Sequence, residues 1–252
     1  MMLEVAEVSK RFGGLKVLEG VNMHVDEKEV VGLIGPNGAG KTTLFNVISG
    51  VYPANSGKVI FDGHDITNLK PHQIVGLGMR RSFQGAKTFL ELSVFDNVYY
   101  AFQPSYKTLI VERILRLPSA LKEERRFKEK TLEILDYVGL IPHKNKLAGG
   151  LSSGLLRLLA IAITLTTDPK LLLLDEPVTT LSPDKVTMVM DLIMKIRASG
   201  TTVLIIEHNM RAIMNYCDRI VVLGYGKKLA DGSAQEIRDN PIVVESYLGI
   251  TQ

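Results

Sequence analysis

The sequence predicts an α/β protein with a parallel core sheet, an N-terminal antiparallel β subdomain and a helical subdomain. Three observations carry that class. The apolar run Glu29-Val30-Val31-Gly32-Leu33-Ile34 reads as a buried strand; after a glycine-rich turn, Thr43-Leu44-Phe45-Asn46-Val47-Ile48-Ser49 spaces its apolar residues as a helix that stops at Gly50. Lys170 to Leu174 and Thr201 to Ile206 read as two more strands joined by a helix from about Asp184 to Ser199, a strand–helix–strand order that implies parallel pairing. Leu3 to Val8, Val17 to Val25 and Lys58 to Phe61 make the first third strand-rich, with Asp62-Gly63 as a turn. Between these regions, Ser119 to Val138 combines strong helix formers with interleaved charges and a Gly139 stop, so its charge run is expected on a solvated helix face.

Composition bounds the rest. A chain of 252 residues suits one large α/β domain or a core with a helical insert, and 46% hydrophobic content is ample for its interior. Thirty basic against 27 acidic side chains leave a net charge of +3, which makes no strong electrostatic case for nucleic acid. The single Cys217 excludes an intrachain disulfide and the common zinc spacings, and reads as a small buried hydrophobe. Met1-Met2-Leu3-Glu4-Val5 lacks the basic flank and apolar core of a signal peptide, and no uncharged apolar run reaches about 18 residues, so a soluble or peripheral protein is expected.

The turn between the first core strand and its helix, Gly35-Pro36-Asn37-Gly38-Ala39-Gly40-Lys41-Thr42, fits G-x-x-x-x-G-K-[ST], the phosphate-binding P-loop. Glycines let the backbone wrap an anion, the loop N–H groups and the positive end of the helix hold phosphate, Lys41 reaches the β/γ oxygens, and Thr42 supplies a hydroxyl to Mg²⁺. An ordinary glycine-rich turn is the competing reading, which the strand and helix flanks disfavour. Leu171-Leu172-Leu173-Leu174-Asp175-Glu176 delivers two carboxylates at the carboxyl end of a buried strand, where α/β sheets place ligands.

The P-loop and the four motifs that follow it in a fixed order, Leu171 to Glu176 among them, resemble the ATP-binding subunits of ABC transporters over essentially the whole length. The resemblance implies a role for each matching residue. Gly35 to Thr43 would hold the nucleotide phosphates; Asp175 would hold Mg²⁺ through water; Glu176 would polarise the attacking water. Gln84, in Arg81-Ser82-Phe83-Gln84, matches the loop that touches Mg²⁺ and water and senses the membrane subunit. His208, after Val203-Leu204-Ile205-Ile206-Glu207, matches the switch histidine at the γ-phosphate, and Phe12 the aromatic that stacks on adenine, with a core phenylalanine as the alternative. Ser152, Ser153 and Gly154 occupy the signature that caps the opposite subunit's γ-phosphate. That signature departs from the family's Leu-Ser-Gly-Gly-Gln at Ser153 and Leu155, and the following helix to Thr167 is apolar nearly all round, which asks for burial. Ser182 stands where the family's D-loop has Asp or Asn.

Within the superfamily the resemblance is greatest to the ATPases of branched-chain amino acid uptake, on Arg81 to Gln84, Phe89 to Val98, Glu207-His208-Asn209-Met210, Val222 to Gly226 and the tail Asn240 to Gly249. Phe102 to Gly139 fits that group's longer helical insert. The implied protein is a single ATPase domain over residues 1–252 with a helical subdomain at about 85–168, using ATP and Mg²⁺. It would pair head to tail with a second ATPase subunit, in a homodimer or heterodimer, and reach the cytoplasmic face of the cell membrane only through an integral membrane permease. A weakly hydrolysing regulatory subunit and a soluble ABC ATPase acting on nucleic acid or ribosomes are the alternatives.

Overall fold

Apolar residues alternating with polar ones build the first sheet. In the computed structural model, which describes residues 1–82 and 88–248, β1 (Leu3–Phe12) and β2 (Leu15–Val25) form an antiparallel hairpin. Then come β3 (Val30–Ile34), α1 (Lys41–Ile48), β4 (Ser56–Phe61), β5 (His64–Asp65), α2 (Pro71–Gly76) and β6 (Met79–Ser82). β4 pairs with β1, completing a four-stranded antiparallel sheet in the order β2-β1-β4-β5. Asp62 and Gly63 both adopt positive φ, the turn that a two-residue hairpin requires.

Residues Ser82–Pro169 form one compact unit. It holds α3 (Val94–Ala101), α4 (Ile110–Ile114), α5 (Pro118–Tyr137) and α6 (Ser153–Leu165). Phe102, Tyr106 and Phe127 pack ring on ring at its centre, with centroids 4.9 and 4.6 Å from Phe127. The buried Asn97 accepts from Phe89 N–H at 2.8 Å and donates to the carbonyls of Phe89 and Ser93, pinning the segment that leads into α3. Helix α5 ends as its sequence predicts, with Gly139 at φ 75° and the Leu140 N–H returning to Leu135 O at 2.7 Å. Along α6, Leu158, Leu159, Ile161 and Ala162 are buried while Leu155, Leu156 and Arg157 are half-buried, which satisfies most of the helix's demand for cover.

The other unit unites Met1–Arg81 with the chain from Lys170 onward. Its second half adds β7 (Leu171–Asp175), α7 (Pro183–Ala198), β8 (Thr202–Ile206), α8 (Met210–Tyr216), β9 (Arg219–Gly224), β10 (Lys227–Gly232), α9 (Ala234–Asp239) and α10 (Pro241–Leu248). The second sheet runs β10-β9-β3-β8-β7-β6. β9, β3, β8 and β7 pair in parallel, in line with the strand–helix–strand reading, and β10 returns antiparallel at one edge. One face of these strands, through Val31, Leu33, Leu171, Leu173, Leu204, Ile206, Val221 and Leu223, shares a core with α1 and the antiparallel sheet. The opposite residues are buried as well, so every residue of β3, β7 and β8 is inside.

Two polar details tie this unit together. Arg219 donates through Nε to Glu29 Oε1 at 2.8 Å, through Nη1 to Asp231 Oδ1 at 2.6 Å and through Nη2 to His24 O at 2.6 Å, joining the ends of β2, β3, β9 and β10. Cys217, at the end of α8, is half-buried as a residue, but its sulfur lies so close to Gly32 of β3 that a Cβ there would come within 3.0 Å of it. Burial pushes the Cys217 thiol up to about 12.

Removing Arg219 leaves two carboxylates facing each other without their shared cation. Arg219→Met is expected to lower the unfolding free energy by about 2 kcal/mol, less than for a fully buried ion pair because the groups keep some solvent. A urea midpoint equal to that of the unmodified chain would show that the network contributes no net stability.

Candidate active site

The loop between β3 and α1 owes its shape to close backbone packing. Gly35 has φ 155°, and a Cβ there would meet Leu223 O at 2.2 Å. Gly40 sits at φ 101°, with a built Cβ 2.7 Å from Leu18 and 2.9 Å from Val17 O. Gly40 is also the N-cap of α1, so the N–H groups of Lys41, Thr42 and Thr43 lie in the first turn, where the helix dipole is positive and no acidic side chain intervenes. Lys41 is buried, and its ammonium donates to Gly35 O at 2.6 Å and Pro36 O at 3.0 Å, inside its own loop. Burial holds its pKa below the ordinary lysine value, an effect the nearby Glu176 carboxylate opposes.

The carboxyl ends of β7 and β8 present the acidic and imidazole groups. Asp175 is buried at the last position of β7, and Arg81 of β6 donates to its Oδ2 at 2.7 Å. The same guanidinium reaches Asn46 Oδ1 at 2.7 Å and Ser49 Oγ at 3.1 Å on α1, and lies 5.5 Å from the Phe45 ring centre. Arg81 therefore couples the strand carrying Asp175 to the helix that begins with Lys41. The next residue, Glu176, takes φ 50°, a left-handed conformation that few non-glycine residues adopt outside turns and functional sites. Its Oε1 lies 3.1 Å from His208 Nε2. The structure thus brings Lys41, Asp175, Glu176 and His208 to one end of the parallel strands.

Glu207 fixes this arrangement from beneath. Completely buried, it accepts from Val178 N–H at 2.7 Å through Oε1, and from His208 N–H at 2.9 Å and Asn209 N–H at 3.1 Å through Oε2. Thr179 Oγ1 adds a longer contact at 3.3 Å. The loop after Glu176 and the turn after His208 are tied to one carboxylate. Glu207 and Arg81 stand in sequence motifs without a task of their own; an acid at the end of an apolar strand is the signal that marks Glu207, whereas the segment around Arg81 carries no such signal.

Phe12, at the tip of the β1–β2 hairpin, is 43% exposed and so is not a core residue. Tyr52 meets it edge-on with centroids 5.2 Å apart, and Lys10 Nζ lies 5.1 Å from the Phe12 ring centre. This aromatic pair leaves a ring face able to stack on a base, and Tyr52 is a member the sequence did not suggest. In the helical unit, Ser152 is the exposed N-cap of α6 yet its side chain makes no capping hydrogen bond; Ser153 is exposed in the first turn and Gly154 is buried. Gln84 lies outside the described residues.

Comparison with known proteins gives this geometry its context. A family model described as ABC transporter matches residues 18–179, and one described as branched-chain amino acid ATP-binding cassette transporter matches residues 227–250. The chain is 41% identical, over 98% of both chains, to the high-affinity branched-chain amino acid transport ATP-binding protein BraF of Pseudomonas aeruginosa. It is 37% identical, over 98% of both, to LivG of Escherichia coli K12, which carries the same description. A crystal structure of the ADP conformation of an ATP-binding cassette from an ABC transporter superposes with a TM-score of 0.87 at 33% identity, covering 98% of each chain. With a domain match over more than half its length and full-length relatives of this kind, the chain belongs to the ABC transporter family, as one of its ATP-binding cassettes.

Proposed function

We propose that this chain is the ATPase subunit that drives a membrane permease for branched-chain amino acids or similar small solutes. The observation that carries the reading is the meeting of Lys41, Asp175, Glu176 and His208 at the carboxyl ends of adjacent parallel strands, with a glycine-shaped helix N-terminus beside them. Full-length similarity to ATP-binding proteins of branched-chain amino acid transport supports the choice of solute class. The whole chain is read as one ATPase domain whose helical subdomain spans about 85–168, a division supported by the compactness of Ser82–Pro169.

In this reading Gly35 to Thr43 bind the phosphates of ATP through backbone N–H groups, the α1 dipole and the Lys41 ammonium. Glu176 aligns and polarises the water that attacks the γ-phosphorus, while His208, held against Glu176, contacts the γ-phosphate and keeps that carboxylate in place. The bond between the γ-phosphorus and the bridging oxygen breaks, releasing ADP and inorganic phosphate. Thr42, Asp175 and Gln84 offer only oxygen donors, the set a hard cation takes alongside nucleotide phosphates, and Mg²⁺ held there would neutralise charge on the β- and γ-oxygens. Phe12 with Tyr52 stacks the adenine. A second cassette, paired head to tail, receives the Ser152-Ser153-Gly154 cap in trans, supported by the Ser152 hydroxyl that takes no part in capping its own helix. No described helix is long and apolar enough to cross a membrane, and attachment at the cytoplasmic face is read as running through the permease, near Gln84 and the helical subdomain. Copurification of the permease, followed by leucine-dependent stimulation of ATP turnover in the complex, tests the reading as a whole.

Lys41→Ala is expected to weaken ATP binding by about 10- to 100-fold, since it removes charge-assisted contacts already made in the ground state. Glu176→Gln should keep ATP affinity and lose about 100-fold or more in turnover. Undiminished turnover in Glu176→Gln would remove its catalytic assignment.

Glu207→Gln places amide hydrogens where backbone N–H groups need an acceptor. Turnover should fall about tenfold, equivalent to 1.4 kcal/mol, with little change in KM, because the loop after Glu176 and His208 lose their common anchor. A raised KM at constant kcat would assign Glu207 to nucleotide binding instead.

The signature supplies a gain-of-function test. Ser153→Gly with Leu155→Gln should raise turnover of the assembled complex several-fold, on the order of 1 kcal/mol, without altering ATP affinity of the isolated chain. Constant or reduced turnover would mean that both departures are compensated locally.

A further inference from the structure

The short helix α4 is inside out. Its apolar residues Ile110, Val111 and Ile114, with Leu109 and Leu115 at its ends, are 62 to 73% exposed, whereas its charged residues Glu112 and Arg113 are half-buried against the helical unit. This is not a frayed segment. Glu112 Oε2 accepts from Leu109 N–H at 2.7 Å, Leu115 N–H bonds Val111 O at 2.9 Å, and the Arg113 guanidinium lies 4.0 Å from the Tyr106 ring centre. The fold thus holds the polar side of α4 inward and its apolar side out.

The charges around this ridge are predominantly basic. Between Lys107 and Lys128 the sequence has seven basic and three acidic side chains, an excess larger than the +3 of the whole chain. The acids are engaged: Glu112 caps α4, Glu123 accepts from Lys107 N–H, Thr108 N–H and Thr108 Oγ1, and Glu124 pairs with Lys128 at 2.6 Å. Lys107, Arg116, Lys122, Arg125 and Arg126 are exposed.

We propose that the α4 ridge is a membrane-docking surface that inserts Leu109, Ile110, Val111, Ile114 and Leu115 into the interface of an anionic lipid leaflet, with the surrounding lysines and arginines on the headgroups. The five apolar side chains stand beside exposed basic ones, a charge pattern that favours an anionic lipid leaflet as the occupant. A bilayer interface accepts such a ridge, and a basic collar adds attraction to anionic lipid. The inference rests on the reading that the chain works at a membrane, and adds a direct lipid contact to the one made through the permease.

The test is cosedimentation of the purified chain with vesicles of phosphatidylglycerol and phosphatidylethanolamine, against vesicles of phosphatidylcholine alone, with ATP affinity measured on the same samples. Binding to the anionic vesicles is expected, falling with added salt, and about tenfold weaker in both Ile110→Ser with Ile114→Ser and Arg116→Gln with Lys122→Gln. All these residues are exposed, and unchanged ATP affinity in the variants confirms their fold. A chain that binds ATP yet ignores both vesicles overturns the lipid proposal alone, whereas failure to bind ATP overturns the transporter reading. Vesicle binding untouched by both variants overturns the ridge as the lipid contact, and loss only of permease copurification or of self-association assigns it to a protein partner.

Discussion

Burial of the parallel strands on both faces is the constraint from which the rest of this molecule follows. β3, β7 and β8 have no solvent-facing side, so their side chains can be polar only where the strands end. Asp175, Glu176, Glu207 and His208 all stand at such ends, and β3 runs directly into the glycine loop. Parallel pairing brings these ends to one side of the sheet. A hydrophobic requirement thereby gathers the polar chemistry in one place.

Two buried charges then hold the gathered groups in register. Arg81 joins β6, β7 and α1 through three acceptors, and Glu207 joins the segments after β7 and β8 through backbone donors. Neither charge is isolated, which is the condition for keeping one inside a protein. Their cost is set against precision: loops that would otherwise vary by an ångström are fixed to a common atom, and catalytic geometry is sensitive on that scale.

Much of this was legible in the sequence. The P-loop, the Leu171–Glu176 strand and the Thr201–Ile206 strand combine a strong period or motif with β-branched or Leu-rich content, so local and tertiary preferences agree. β6, with two arginines in four residues, does not read as a strand; it forms beside β7 with Arg81 turned toward Asp175. β10, Lys227–Gly232, has little strand propensity and relies on pairing with β9 and on the Arg219–Asp231 contact. The outward apolar face of α4 escaped for the opposite reason: its pattern is helical, but periodicity cannot say which face points in. Tyr52 beside Phe12 and the anchoring by Glu207 are contacts between residues far apart in the chain, which a single sequence does not encode locally.

The placement of Cys217 gives the protein a built-in chemical clock. Its sulfur, together with Ile213, fills the space that Gly32 leaves on β3, and burial raises the thiol's pKa and so disfavours the thiolate, the form that reacts quickly. Alkylation is expected to follow separation of the end of α8 from that strand. When such openings close faster than the reagent acts, the modification rate is the intrinsic rate scaled by the opening equilibrium, so one sulfur converts local stability into a measurable time. Since β3 leads straight into the glycine loop, the time so measured belongs to the strand on which nucleotide binding is built.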